Sequence, residues 1–561
     1  MIRLVECVPN FSEGRNRDVI DRICAEAADV EGVLVLDVDP GAATNRTVVT
    51  LAGPPDAVAE AAFRAIARAA ELIDMARHSG AHPRMGATDV CPFVPIEGVT
   101  MEECSDLARK VGRRVGEELQ IPVFLYEEAA STEERRSLAV IRQGEYEGLA
   151  ERLGDPRWRP DFGPAKHNPR SGATAIGARE FLIAYNIDLN TRDKRLAHEI
   201  ALNIREAGRA KRDPAGEIVR DAEGKAVKVP GALQHVRGVG WFIDEYGKAQ
   251  VSVNLTNYRI TPPHVAFEEC CREADRLGLR VTGSEIVGLV PLEAMLMAGR
   301  YYRKKQGKSP AVPERDLVEL AVHSLGLNDV APFDPELKIV ENRFGARGGG
   351  FAGATVAGFI DDVARDTPAP GGGSVAALCG SLAAGLAAMV AGITYPRKDA
   401  EAHREDLERI GAGAQALRGR LLHAIQADSD AFNAMMAARR IRAVGPEESA
   451  AKEKAILAAT IGAIEVPISV VAGAAEVAGL ADALVGIGAP SALSDVGVAA
   501  LAAHAAAEGA FDNVLTNLAD LSDASAAAEL RRRAEAHLSE AAMRAKRVRD
   551  RVNVALRSRP A

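Results

Sequence analysis

The chain changes character at Gly345-Ala-Arg-Gly-Gly-Gly-Phe-Ala-Gly353. Before this run, short β-type segments alternate with amphipathic helical windows. Beyond it nothing reads as a strand, and Ala-rich helical windows continue to the C-terminus, broken at Pro396, Gly445-Pro446, Pro467 and Gly488 to Pro490. A glycine-rich run of this kind is a linker by composition. A chain patterned in this way has to fold as an α+β part and a separate all-α part.

The front part carries one order of elements twice. Leu4–Val8 alternates as a strand, and Asn16–Asp29 places Val19, Ile20, Ile23, Cys24 and Ala27 on one helical face. Val33–Val38 and Arg46–Leu51 are strands, a helix runs from Pro54-Pro55 to about Ala76, and Asp89–Val94 is a strand again. After a helix at Met101–Leu119, a strand at Val123–Tyr126 and a charged helix at Ser137–Leu153, the order returns. It runs through Phe181–Ile187, Lys194–Ala207, a hairpin of 238–244 with 249–255, Thr261–Leu277 and a strand within Leu279–Leu289. The order strand, helix, strand, strand, helix, strand is the ferredoxin-like unit. The expected architecture is therefore two βαββαβ subdomains at 1–180 and 181–330, a linker at 331–353 and an all-helical domain at 354–561. Arg212–Pro230 is a surface excursion before the hairpin.

A length of 561 residues exceeds what one core supports. The net charge of -9 speaks against a nucleic-acid binder, which shows a basic face. Aromatic content of 4% means the cores are built from Ala, Val, Leu and Ile. Seven scattered cysteines show neither a disulfide framework nor metal-ligand spacing, so a reducing compartment and no metal are expected. Gly371–Thr394 is uncharged and long enough to span a bilayer, but it is mostly Ala and Gly; a buried core helix is expected instead. The N-terminus lacks a signal-peptide pattern.

Four stretches carry chemistry. His78-Ser-Gly-Ala-His82-Pro-Arg84-Met-Gly-Ala-Thr-Asp89 puts ionisable groups in a loop shaped by Gly and Pro. Trp158–Gly177 is long, polar and irregular between two strands, as functional loops are. Gly371, Gly372, Gly373 and Ser374 open a helix with exposed amides, which suit an anion or a carbonyl-rich ring; no Gly-Lys-Ser/Thr follows, so this is not a P-loop. In the fourth, Leu421, Leu422, Ile425, Phe432, Met435 and Met436 form an apolar helical stripe that contains Asp428, while Asp430 points away. A carboxyl group facing a core is costly unless it is paired or set in a polar cavity. Asn513 and Asn517, four apart on a helix, can line the same cavity.

Taken together these residues resemble the bifunctional formimidoyltransferase-cyclodeaminases. The resemblance rests on Leu4-Val-Glu-Cys-Val-Pro-Asn-Phe-Ser-Glu-Gly14, Asp37-Val-Asp39, Thr44-Asn-Arg-Thr-Val48, His82-Pro-Arg-Met-Gly86, Asp161-Phe-Gly-Pro164, Gly172-Ala-Thr-Ala-Ile-Gly-Ala-Arg179, Pro370-Gly-Gly-Gly-Ser-Val-Ala-Ala377 and Asp428-Ser-Asp-Ala-Phe432. It implies transfer of a formimidoyl group from N-formimidoyl-L-glutamate to N5 of tetrahydrofolate. It further implies ring closure to 5,10-methenyltetrahydrofolate with loss of ammonia. The alternative is a glutamate formimidoyltransferase with a cyclohydrolase-like helical domain. The family's transferase histidine falls on His82 and its cyclodeaminase carboxylate on Asp428. Its folate stretch falls on Gly163, Pro164, Ala165, Lys166, His167, Asn168, Pro169, Arg170, Ser171 and Gly172. An imidazole that titrates near neutrality suits proton shuttling in the transfer step, with Asp39 supporting its orientation or charge. Arg46, Arg84 and Lys166 suit the carboxylates of a glutamate derivative. The resemblance also implies tetrahydrofolate, polyglutamylated or not, as co-substrate without a metal. A cytoplasmic, dimer-based homo-oligomer, up to an octamer, is expected, with no nucleic-acid or membrane partner.

Overall fold

The computed structural model describes residues 3–42, 44–80, 82–244, 246–344 and 350–558. It divides into two compact units, 1–294 with 325–344 and 295–324 with 345–561. Gly345–Gly349 of the expected linker lies outside the described residues. Within 331–344, Pro335–Lys338 is helical and Ile339 bridges Val290, so these residues are part of the first unit's fold.

In the first unit the strand Leu4–Cys7 continues, after a break at Pro9, as Asn10–Phe11. Leu34–Gly41 pairs with Arg46–Gly53, which pairs with both halves of the first strand; these in turn pair with Thr88–Glu97. All these pairings are antiparallel, in the order expected of a ferredoxin-like unit. Helices Arg17–Ala28, Pro55–Leu72 and Met101–Glu118 cover one face, and Val5, Cys7, Ile23, Leu51, Ile66, Phe93 and Val111 form the core beneath them.

Two sequence expectations fail here. Trp158–Gly177 is not irregular throughout, because Thr174–Ala178 is a strand lying parallel between Thr88–Glu97 and Val123–Glu127. Its Ala and Gly residues hide the strand pattern, since β propensity measures packing more than backbone preference. Ser137–Leu153 is not one helix. It breaks into Leu138–Ile141 and Leu149–Leu153 around Gly144 and Glu145, both in the left-handed region at φ 85° and 52°. This broken segment, with Trp158, covers the second face of the sheet over Val90, Phe124, Tyr126 and Ala175.

The second subdomain has four antiparallel strands in the order Val236–Ile243, Lys248–Leu255, Ile183–Leu189 and Val281–Val287. Tyr185, Ile187 and Leu189 are buried, while Asn186 and Asp188 alternate with them on the other face, and are buried too.

Long helices dominate the second unit: Gly372–Thr394, Arg404–Arg440, Pro446–Ile487, Leu493–Leu518 and Ala524–Arg557. Gly372–Thr394 packs between its neighbours through Ala377, Ala383, Ala384, Ala387, Ala388 and Ala391, all essentially inaccessible. Small side chains let helix axes approach closely. Gly372–Thr394 and Pro446–Ile487 are long and apolar enough to cross a membrane, and 56% and 39% of their most apolar windows are buried within the protein.

Candidate active sites on two units

In the first unit the His82 loop is held from three sides. The turn Thr44-Asn45 carries Asn45 at φ 50°; its side chain accepts from Gly14 N at 3.0 Å and donates to Ser79 O at 3.0 Å. Asp89, fully buried, accepts from Met85 N at 3.1 Å and from the Arg142 guanidinium. On the third side lies the 163–172 stretch. Ala87 N donates to Ser171 O at 2.9 Å, Ala173 N to Met85 O at 3.0 Å and Met75 N to Arg170 O at 2.9 Å. Gly172, at φ 65°, lies so close under Met85 O that a Cβ would collide with it. The C-terminal end of the predicted folate stretch, Arg170–Gly172, therefore lies against the end of the predicted catalytic loop at Met85–Ala87.

His82 is half-buried. Its Nδ1 lies 2.7 Å from Pro83 O and its Nε2 lies 2.7 Å from Arg46 Nη1. A carbonyl can only accept and a guanidinium can only donate, so the ring is neutral, with its proton on Nδ1 and its lone pair on Nε2. Burial, then the Arg46 charge, holds the imidazole below its ordinary range. Arg46 is itself lowered by burial, and its Nε is buried without a partner. Asp39 is exposed and makes no hydrogen bond to His82; its carboxylate acts on Arg46 through space.

Arg84 is not open to a ligand. It donates to Glu147 at 2.7 and 2.8 Å, to Glu145 at 3.2 Å and, through Nε, to His78 Nδ1 at 3.2 Å. Together with Ser79, Gly80 and Gly144 these residues line a depression of about 470 Å³ beside the His82 loop.

Within the 163–172 stretch Lys166 is exposed and makes no hydrogen bond or ion pair among the described residues, while Arg170 caps the helix end at Ala70 and Glu71. Asn168 Oδ1 accepts from Arg170 N and Ser171 N at 3.1 and 3.0 Å. His167 Nδ1 is buried with no hydrogen bond, and its ring centroid lies 5.3 Å from that of Tyr146. Tyr146 also donates to Pro169 O at 2.6 Å, and its amide donates to Arg84 O at 2.9 Å. Tyr146, Glu145, Glu147 and Arg142 thus brace both loops. They went unrecognised in the sequence because their segment reads as one charged helix. Gly144 and Gly148, bracketing the charged run, were the available signal of a break. Glu6 went unrecognised as well; it is a buried carboxyl group on the first strand that burial pushes up to about 8 against the pull of Arg179.

In the second unit Asp428 meets the glycine turn. A Cβ on Gly373 would collide with its carboxyl group, and Ser374 Oγ donates to Asp428 Oδ2 at 3.0 Å. Burial pushes the carboxyl up, and the Ser374 hydroxyl and backbone amide work against that. Asn513 reaches the same turn, its amide lying 3.6 Å from where a Gly372 Cβ would sit. Asn517 turns away and donates to Ala463 O at 2.7 Å. Asp430 is exposed and accepts from Gln426 at 2.9 Å. Gly371 and Gly372 edge the turn, whereas Ser374 is completely buried.

Each unit therefore has a partly shielded acid–base group beside a glycine-shaped loop, and the class this defines is a two-part enzyme. The formiminotransferase domain, N-terminal subdomain, matches residues 4–179, the formiminotransferase domain 184–344 and formiminotransferase-cyclodeaminase 355–536. Formimidoyltransferase-cyclodeaminase of Mus musculus is 43% identical over 93% of this chain and 94% of its own. Glutamate formimidoyltransferase of Streptococcus pyogenes is 41% identical over 54% of this chain and 94% of its own. A solved formiminotetrahydrofolate cyclodeaminase from Thermotoga maritima covers 36% of this chain and 96% of its own, at 28% identity and a TM-score of 0.32. The chain belongs to the formimidoyltransferase-cyclodeaminase family.

Proposed function

We propose that the first unit moves a formimidoyl group from N-formimidoyl-L-glutamate to N5 of tetrahydrofolate and that the helical unit closes the ring. Identity of 43% across both halves to a relative named for both activities carries this reading. In the transfer, N5 forms a bond to the formimidoyl carbon and the bond from that carbon to the glutamate nitrogen breaks. His82 Nε2 takes the proton from N5 and returns it to the departing nitrogen. Its neutral state supports that role, and so does the Nδ1–H bond to Pro83, which orients the ring. Arg46 donates to Nε2; when substrate binds, its guanidinium turns to a substrate carboxylate and frees the lone pair. Lys166 meets the second carboxylate, and the 163–172 stretch holds the pterin.

In the second step N10 bonds to the carbon of the formimidoyl group, which enters protonated as N5–CH=NH2+; Asp428 carries the proton from N10 to that nitrogen, and its bond to carbon breaks to release ammonia and the methenyl cation. A carboxyl group raised by burial suits that exchange. Tetrahydrofolate, with or without further glutamates, is the co-substrate. Seven free cysteines support a reducing, cytoplasmic setting, and exposed Leu382, Met389 and Ile393 on one helix support a homo-oligomer.

The test feeds the purified chain formimidoylglutamate and tetrahydrofolate and follows methenyl absorbance and ammonia together. Both products in equal amounts are expected. Methenyl formation without ammonia, or neither product, rejects the reading.

A further inference from the structure

The glycine turn of the helical unit holds a hydroxyl that no ligand can reach. Ser374 is 0% exposed. It therefore cannot contact substrate, and its place in the site must be explained by what it touches. Its Oγ lies 3.0 Å from Asp428 Oδ2, 3.0 Å from the main-chain oxygen of Ile425 and 3.3 Å from Ser429 Oγ, itself buried. A hydroxyl has one proton to give and two lone pairs to accept with. Two of its three neighbours can only accept when Asp428 is charged, so a single proton is contested.

We propose that Ser374 is a positioning residue for Asp428, a hydroxyl that reverses its hydrogen bond as the carboxyl group gains and loses its proton. With Asp428 ionised, Ser374 donates to Oδ2 and accepts from the Ser429 hydroxyl. When Asp428 takes the proton from N10, Oδ2–H donates to Ser374 Oγ, and Ser374 turns its own proton to Ile425 O. Neither state leaves a buried polar group unpaired, which would be destabilising. Without the reversal, one of the two protonation states would be penalised and the group could not serve both as base and as acid.

The surroundings leave this task to Ser374. The helix Gly372–Thr394 presents Gly373 and the Ser374 amide to the carboxyl group, with no charge. From Leu493–Leu518 comes Asn513, uncharged, whose neighbour Asp512 is exposed. Gly350, on the short turn Gly350–Gly353, packs on Gln426, which holds the exposed Asp430 on Asp428's own helix. Among the described residues no charged side chain contributes to the ionisation of Asp428.

The inference rests on Asp428 being the acid–base of ring closure, and the experiment separates the two. The pH dependence of ring closure, with 5-formimidoyltetrahydrofolate as substrate, is measured on the full-length wild type and on Ser374→Ala, Ser374→Cys and Asp428→Asn. Removing a donor from a charged acceptor favours the protonated form, so the midpoint for Ser374→Ala should rise by about one pH unit. The thiol is a weaker donor, so Ser374→Cys should fall between. Formimidoyl transfer should stay at wild-type rate in both. A uniform loss of rate with unmoved midpoints would mean a merely structural role and overturn the proposal. If Ser374→Ala does not fold, Ser374→Cys decides by the same midpoint. Normal ring closure by Asp428→Asn would instead overturn the assignment of Asp428, whatever Ser374 does.

Discussion

Arg46 donates to the Nε2 of His82 at 2.7 Å, placing a fixed positive charge against the imidazole's only free lone pair. The pair explains why a histidine in a polar loop is held neutral. It also makes the guanidinium a guard on the base, released only when something else satisfies it. Removing the guard should change the pH response in a known direction. The free imidazole titrates near 6.5, and burial with Arg46 lowers it here. A base must be unprotonated to act, so transfer by the wild type should persist into mildly acidic solution. In Arg46→Met the charge is gone, His82 moves up, and the acidic limb of kcat/KM should shift to higher pH. An unmoved limb would show that Arg46 does not act on His82.

His82→Ala should reduce transfer by roughly a hundred- to ten-thousand-fold, the range for a positioned acid–base. Ring closure of added 5-formimidoyltetrahydrofolate should continue. Steady-state rates for the two reactions, measured separately, check both halves of that statement.

Gly373→Ala should behave as a ring-closure variant although no charged group changes. The added methyl meets the Asp428 carboxyl group and must push it aside. A displacement of about 1 Å at a reacting group costs around a hundredfold. Ring closure should fall by that factor while transfer is unchanged; equal losses in both would point to misfolding.

Tyr146→Phe removes one hydroxyl, which donates to Pro169 O at 2.6 Å. The folate stretch loses a brace but no reacting group. A neutral hydrogen bond of about 1 kcal/mol corresponds to roughly a fivefold weakening. The KM for tetrahydrofolate should rise by about that factor with kcat little changed, and a kcat defect alone would contradict the brace.

Glu6→Gln tests stability. Burial raises the Glu6 carboxyl from 4.5 to about 8. Between those values the folded chain keeps a proton that the unfolded chain has released, so stability falls as pH rises through the window and levels off above about 8. The glutamine variant avoids this loss. Its Tm should exceed that of the wild type at pH above 8 and match it near pH 4.

The sequence made some of this legible and hid the rest for identifiable reasons. The βαββαβ order stood out because strand and helix periods differ, and the helical half because Ala-rich windows lack any period of two. Asp428 could be singled out because an acid inside an apolar stripe breaks the pattern, and it lies against Gly373. Arg84 looked like a substrate cation because nothing local marks Glu145 and Glu147, 61 and 63 residues away, as its partners. Ser374 looked like a ligand contact because a helix N-terminus in sequence carries no sign of whether it is covered. Pairing across the fold, rather than residue type, decided each of these.

The strand Thr174–Ala178 is laddered on both edges, to Thr88–Glu97 and to Val123–Glu127. A one-residue slip would therefore have to break two ladders at once and turn every side chain over. The segment feeding it has no such tie at its crest, where Ala165 and Lys166 are exposed. Lengthening or shortening the chain there should be absorbed outward, leaving Ser171 and Gly172 where they are. Residue count at the crest is thus a dial that evolution or an engineer can turn to reshape the surface there without disturbing His82 next door.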